Sequence, residues 1–163
     1  MVQIQEASRS DLVLRMIAAA ARDHGPAVFV LDSSAEDLLI AHIIVNERLD
    51  VELVTLDMAH AFQMRERLAD ACDCARTQVR RVDALDGALF GKNAWITSRR
   101  AGAGNAVAAY DYDETHGVLR FNPLAAWSEA HVREYFESKG VALSAPAAPA
   151  CGGHVPAEQR VAA

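Results

Sequence analysis

Residues 27–57 read AVFVLDSSAEDLLIAHIIVNERLDVELVTLD, and this stretch decides the fold. Ala27 to Leu31 is an unbroken apolar run rich in β-branched and aromatic residues, the pattern of a strand buried on both faces. Ser33-Ser34 then opens a helix from Ala35 to about Glu47, with Leu38, Leu39, His42 and Ile43 at helical spacing. A second strand, Val51 to Leu56, ends at Asp57. Strand, helix and strand of these lengths form a βαβ unit, which implies a parallel sheet and a right-handed crossover.

Working outward, Ser10 reads as the N-cap of a preceding helix that Gly25-Pro26 stops, because Gly accepts a left-handed cap and Pro cannot continue. The stretch from about Phe62 to Leu89 reads as helical and polar, and Ala94 to Thr97 as a third strand. Val107 to Tyr112 and Val118 to Phe121 flank Asp113-Glu114-Thr115-His116-Gly117, whose turn residues predict a hairpin. Ser128 caps a last helix to Lys139, ended by Gly140. Beyond Leu143 the composition shifts to Ala, Pro and Gly. We therefore expect an α/β domain over residues 1–143 and a mobile tail over 144–163 that carries Cys151.

The whole chain has 163 residues, 52% hydrophobic and 23% charged, which suits a globular domain rather than a disordered or fibrous chain. Sixteen Lys and Arg against 22 Asp and Glu leave a net charge of −6. That balance argues against nucleic acid or an anionic membrane as a partner, since no excess of cations exists to release counterions. No apolar run reaches the roughly 20 residues of a membrane span, and the N-terminus does not read as an export signal. Three cysteines are an odd number and too few for a disulfide scaffold, so a reducing cytoplasm is expected.

Three groups of residues could carry chemistry. The turn Asp32-Ser33-Ser34-Ala35-Glu36-Asp37 follows a parallel strand and opens a helix, where free N–H groups attract anions and Ser33 and Ser34 add hydroxyls; helix capping is the simpler role. Arg76, Arg80 and Arg81, then Arg99 and Arg100 directly after the third strand, match sulfate or phosphate geometry, although the first three would also suit a solvated helix face. Cys151-Gly152-Gly153-His154 puts a thiol near an imidazole that favours its thiolate, the chemistry of a nucleophile. Cys72 and Cys74 point apart on a helix and match no familiar metal-ligand spacing. Asp111, Asp113 and Glu114 are turn residues, Trp95 and Trp127 core residues, and the remaining histidines structural.

Two blocks resemble the adenylyl-sulfate and phosphoadenylyl-sulfate (PAPS) reductases, the sulfonucleotide reductases of sulfate assimilation. Arg80-Arg81-Val82-Asp83-Ala84-Leu85 through Ala94-Trp95-Ile96-Thr97-Ser98-Arg99-Arg100 is similar to RKVxPL…AWITGLRR, and Arg120-Phe121-Asn122-Pro123-Leu124-Ala125-Ala126-Trp127-Ser128 to KINPLADWS. Asp32 to Asp37 stands where the family has SFGAED, Leu56-Asp57 where it has LDTG, and Cys151-Gly152-Gly153-His154 resembles its terminal ECGLH. The resemblance covers most of residues 27–140. It implies a three-layer, doubly wound, mostly parallel sheet like that of the PP-loop adenine-nucleotide α-hydrolases. It further implies adenylyl sulfate or PAPS bound near Ser33, Ser34, Asp57, Arg80, Arg81, Arg99 and Arg100. Cys151, assisted by His154, would be the nucleophile, and thioredoxin or glutaredoxin the reducing partner.

The differences lie mostly at ligand contacts. The PP-loop glycine is Ser34, and the Thr-Gly after the second aspartate is Met58-Ala59. Gly102-Ala103-Gly104-Asn105-Ala106 replace polar residues, and a segment between Phe62 and Arg80 is missing. Arg76-Thr77 stand where cluster-binding members carry adjacent cysteines, so neither an iron–sulfur cluster nor any other cofactor or metal is expected. Two functions follow: a compact, cluster-free sulfonucleotide reductase, or a catalytically inactive paralogue that binds an adenine nucleotide or a partner protein. Homo-oligomerisation is left open by the sequence.

Overall fold

The computed structural model describes residues 8–71 and 77–143. Helix α1 spans Arg9–Asp23 and is capped by Ser8, not by Ser10 as the sequence suggested. The Ser8 hydroxyl accepts from the Asp11 N–H at 3.2 Å while the Asp11 carboxylate accepts from the Ser8 N–H at 3.1 Å. Ser10 has Val13 three residues on, which cannot close such a reciprocal box. Strand β1 (Ala27–Val30), helix α2 (Ala35–Asn46) and strand β2 (Val51–Thr55) form the expected crossover.

The middle of the chain departs from the helical reading. Helix α3 (Met58–Ala71) is followed by a three-residue strand β3 (Val79–Arg81), and only then by the short helix α4 (Leu85–Leu89). Three residues with two arginines give no period to read, and β3 exists because its backbone pairs with β2 at the sheet edge. Cys72, Cys74 and Arg76 lie outside the described residues. Strands β4 (Ala94–Ile96), β5 (Tyr110–Asp113) and β6 (Val118–Phe121) come next. Helix α5 (Glu129–Lys139) has its Ser128 cap, and Gly140 takes the left-handed conformation (φ 67°) that favours glycine.

The six strands lie in the order β3-β2-β1-β4-β6-β5, all parallel except the edge strand β5, which runs antiparallel to β6. Helices α1, α2, α3 and α5 cover one face, joining Phe29, Leu53, Ile96 and Phe121 of the sheet in the main core. Helix α2 is buried on every residue from Asp37 to Ile44, because α1, α3 and α5 pack against it within the helix layer. Its pattern is therefore apolar all round rather than amphipathic. The opposite face is narrower: Val28, Val54, Val82 and Val118 pack under Ala88 and Leu89 of α4. Helices on both faces make this the doubly wound, mostly parallel α/β architecture expected from sequence.

His42, at helical spacing with Leu38, Leu39 and Ile43, is buried, with its Nδ1 2.7 Å from the Tyr135 hydroxyl on α5. The helix layer thus holds a polar pair that satisfies two groups at once. Burial pushes the His42 pKa down, because the charged imidazolium loses water.

The chain winds from β1 outward to β2 and β3, then returns to β4 on the other side of β1. The strand order therefore reverses between β1 and β4, and their carboxyl ends diverge into a crevice where open α/β sheets place their ligands.

Candidate functional site

Two clefts open above this reversal and meet at Ser98, just past the end of β4. The larger, about 530 Å³, is lined by residues from the ends of β1 and β2, among them Asp32, Asp37, Asp57 and His60. The smaller, about 310 Å³, is lined by Ser34, Glu36, Ser98, Arg100, Ala101 and Gly102. A volume of this size accommodates a small ligand.

Asp37 joins the two walls. Its carboxylate accepts the Asp32 backbone N–H at 2.7 Å and the hydroxyl hydrogen of Ser98, while its own N–H donates to the Ser34 hydroxyl at 3.0 Å. The turn after β1, the first turn of α2 and the segment after β4 are thereby held in one arrangement. Only 4% of Asp37 is exposed. Burial raises its pKa, and the hydrogen bonds from Ser98, Asp32 and Ser34 offset that rise only in part.

The segment after β4 is fixed from behind by the Asn122-Pro123-Leu124 block. Buried Asn122 accepts the Thr97 hydroxyl and donates to the Ala108 carbonyl at 2.9 Å. The Ala101 N–H donates to the Ala125 carbonyl at 3.1 Å. This block, the most specific part of the sequence resemblance, therefore shapes the wall of the cleft through packing and backbone bonds.

The structure gathers some of the sequence candidates and scatters others. Ser34 lines the smaller cleft and caps α2, so both readings of it apply. The Ser33 carbonyl accepts from the Arg67 guanidinium at 2.9 Å, and its N–H donates to the Asp32 carboxylate at 2.7 Å. Asp57 lines the larger cleft and accepts the Ala59 N–H at 2.7 Å. Arg100 lines the smaller cleft, its Nε 2.7 Å from Glu36. Arg99 is exposed beside it and lines neither cleft. Arg80 and Arg81 stand two strands away at the sheet edge, paired with Glu52 and with Asp83 at 3.0 Å, and also line neither cleft. Cys151 and His154 lie outside the described residues.

The roles of other residues around the clefts were not assigned from the sequence. Asp37 carried a signal, since it is the third residue after the Ser34 cap. His60 carried none: only the fold brings its Nδ1 to 2.6 Å from the Asp32 carboxylate. Arg67, Glu36 and Ser98 also gain their roles through tertiary contacts. His116, read as a structural residue of the hairpin turn, bridges Asp113 at 3.2 Å and Asp86 of α4 at 3.1 Å. Asp111 and Asp113 form a cluster after all, but on Arg120, whose guanidinium lies 5.5 Å from the Trp95 ring. That cluster occupies the opposite face of the sheet.

No family model matches the chain. Curated relatives do. The adenosine 5'-phosphosulfate reductase of Allochromatium vinosum is 27% identical over 164 positions, covering 77% of this chain and 64% of that protein. The enzyme of the same name from Neisseria meningitidis is 23% identical, covering 83% and 72%. That from Mycobacterium tuberculosis is 28% identical, covering 83% and 57%. The chain is a relative of the sulfonucleotide reductases. It spans less than two thirds of the Allochromatium and Mycobacterium proteins. Among solved structures, the PAPS reductase of Candida auris, a phosphate complex, superposes with a TM-score of 0.57 at 20% identity, covering 86% of this chain and 83% of that one. The likeness confirms the sulfonucleotide-reductase fold.

Among the described residues, no three His, Cys, Asp or Glu side chains come together as metal ligands. No described helix is long and apolar enough to cross a membrane.

Proposed function

We propose that this chain is a sulfonucleotide reductase-like protein of assimilatory sulfate reduction, which seats adenylyl sulfate or PAPS above the carboxyl ends of β1 and β4. One observation carries the reading: the Asp32–Asp37 turn and the Thr97–Arg100 segment, the two places where the sequence resembles the family's ligand loops, face each other across the reversal of strand order. Asp37 and Ser98 lock them together. The phosphosulfate would meet the N-terminus of α2 and the hydroxyls of Ser33 and Ser34, with Arg100 turning from Glu36 to the anion. Val30 and Leu56 supply apolar wall beside these groups.

Cys151 is the proposed nucleophile and His154 its thiolate-stabilising neighbour. The thiolate would attack the sulfur, the bond from sulfur to the bridging phosphate oxygen would break, and the nucleotide would leave, so that a sulfonate remains on Cys151. A thioredoxin or glutaredoxin thiol would then attack the Cys151 sulfur and release sulfite, and the resulting mixed disulfide would be resolved by the partner's second thiol.

The test is to mix the reduced protein with adenylyl sulfate and with PAPS and to weigh the peptide that contains Cys151. A sulfonate mass increase, absent in Cys151→Ser, and sulfite release on adding thioredoxin are expected. Nucleotide binding without any label on Cys151 would leave a binding protein and end the reductase reading.

A further inference from the structure

Arg67 on α3 is half-buried, and among the described residues no carboxylate pairs with it. Other arginines near the strand ends are paired: Arg80 with Glu52, Arg81 with Asp83 and Arg100 with Glu36. Burying a charged group without a counter-ion is unfavourable, and it lowers the pKa of this guanidinium. Arg67 instead reaches across to the turn after β1 and donates to the Ser33 backbone carbonyl at 2.9 Å. A charged donor on a carbonyl dipole fixes the plane of that peptide.

The direction it imposes follows from covalent geometry. The Ser33–Ser34 peptide is trans, so its N–H points opposite to its C=O. Helix α3 packs beside β2 and β3, whereas the smaller cleft opens on the other side of β1, toward Ser98 and Arg100 after β4. With the Ser33 carbonyl held toward α3, the Ser34 N–H is turned toward that cleft, and it has no protein partner among the described residues. The neighbouring groups are already engaged: the Ser33 N–H donates to the Asp32 carboxylate, the Asp32 N–H to the Asp37 carboxylate, and the Asp37 N–H to the Ser34 hydroxyl.

We propose that Arg67 is a positioning residue for anion binding: it holds the Ser33–Ser34 peptide so that the Ser34 N–H faces the smaller cleft and donates to a phosphate- or sulfate-type oxygen there. Released from Arg67, the same peptide can rotate and present its carbonyl oxygen, which repels an anion.

The inference rests on the proposed function for the anion itself, and its test separates the two. Parent and Arg67→Met are titrated with adenylyl sulfate and with PAPS by calorimetry, and the Ser34 amide is followed by NMR. Arg67→Met should weaken binding of the nucleotide that the parent takes by about tenfold or more, the worth of one hydrogen bond to a charged group. Arg67→Gln, which keeps an uncharged donor for the carbonyl, should lose less, about threefold, and replaces Arg67→Met if that variant shows no cooperative urea transition. At saturating nucleotide the Ser34 amide proton should move downfield in the parent and stay in place in Arg67→Met, a readout that a merely structural Arg67 would not change. Affinities equal to the parent's in the folded variants, or a Ser34 amide that does not respond when the parent binds, would overturn the role of Arg67 and leave the proposed function standing. Failure of the parent to bind either nucleotide would overturn both.

Discussion

Replacing Asp37 separates what its carboxylate holds from what its charge costs. In Asp37→Ala, the Asp32 N–H and the Ser98 hydroxyl lose their acceptor in a site that is 4% exposed. Hydrogen bonds to a charged group contribute roughly 1.5–3 kcal/mol each, and a donor left buried costs about 1–3 kcal/mol. Removing the carboxylate also relieves the desolvation that raises its pKa, which offsets part of the loss. The net expectation is a destabilisation of about 2–3 kcal/mol, or a fall in Tm of roughly 5–10 °C for a domain of this size. Asp37→Asn should cost about 1 kcal/mol or less, since the amide oxygen can accept from Asp32 and its NH2 can donate to Ser98. The two variants also differ in pH dependence. A carboxyl group with a raised folded pKa binds its proton more tightly in the native state than when unfolded. The contribution of Asp37 is therefore most favourable at low pH and declines as pH rises from the ordinary carboxylate value to the raised one, after which it is level. Urea unfolding from about pH 4 to 7 measures this, with the stability of the parent minus that of Asp37→Asn falling as pH rises. An unchanged midpoint for Asp37→Ala, or a parent-minus-Asn difference independent of pH, would refute the account of the clamp.

Tyr135→Phe removes the buried partner of His42 Nδ1 and should cost about 1 kcal/mol, read as a shift in urea midpoint at constant slope. Because burial lowers the His42 pKa, its stabilising contribution is present above the ordinary imidazole value and lost as pH falls below it; His42→Gln should flatten that acid-side decline. Arg120→Met breaks the paired hydrogen bonds to Asp111 at 2.7 and 2.8 Å on a partly exposed strand, and about 1 kcal/mol or less should be lost. The Arg120 guanidinium holds the Asp111 carboxyl below its usual range, so the loss should be largest near neutral pH and fade as pH falls through the lowered value. On the proposed function, combined Arg99→Ala, beside the smaller cleft, and Arg100→Ala, in its lining, should weaken nucleotide binding by at most a few kcal/mol by calorimetry, whereas Arg22→Ala and Arg133→Ala should leave it unchanged.

The sequence by itself determined the parallel crossover of residues 27–57, the last helix with its Ser128 and Gly140 caps, and the βαβ-type sheet, because each is written in local signals: unbroken apolar runs, capping residues and turn glycines. It also marked the Asp32–Asp37 turn and Arg100, since a site at a strand end follows from strand order in an open sheet. Strand β3 was illegible, because three residues with two charges carry no period and gain their conformation from pairing with β2. The capping residue of α1 turned on a reciprocal bond between Ser8 and Asp11 rather than on the presence of a serine. Only the tertiary structure separated Arg80 and Arg81 from the cleft, by placing β3 at the edge of the sheet. It alone brought His60 to Asp32, Ser98 to Asp37 and Arg67 to Ser33, residues 28, 61 and 34 positions apart. Local structure depends on neighbours along the chain, whereas the charge and donors of a site depend on neighbours through space, and no single stretch of sequence contains those.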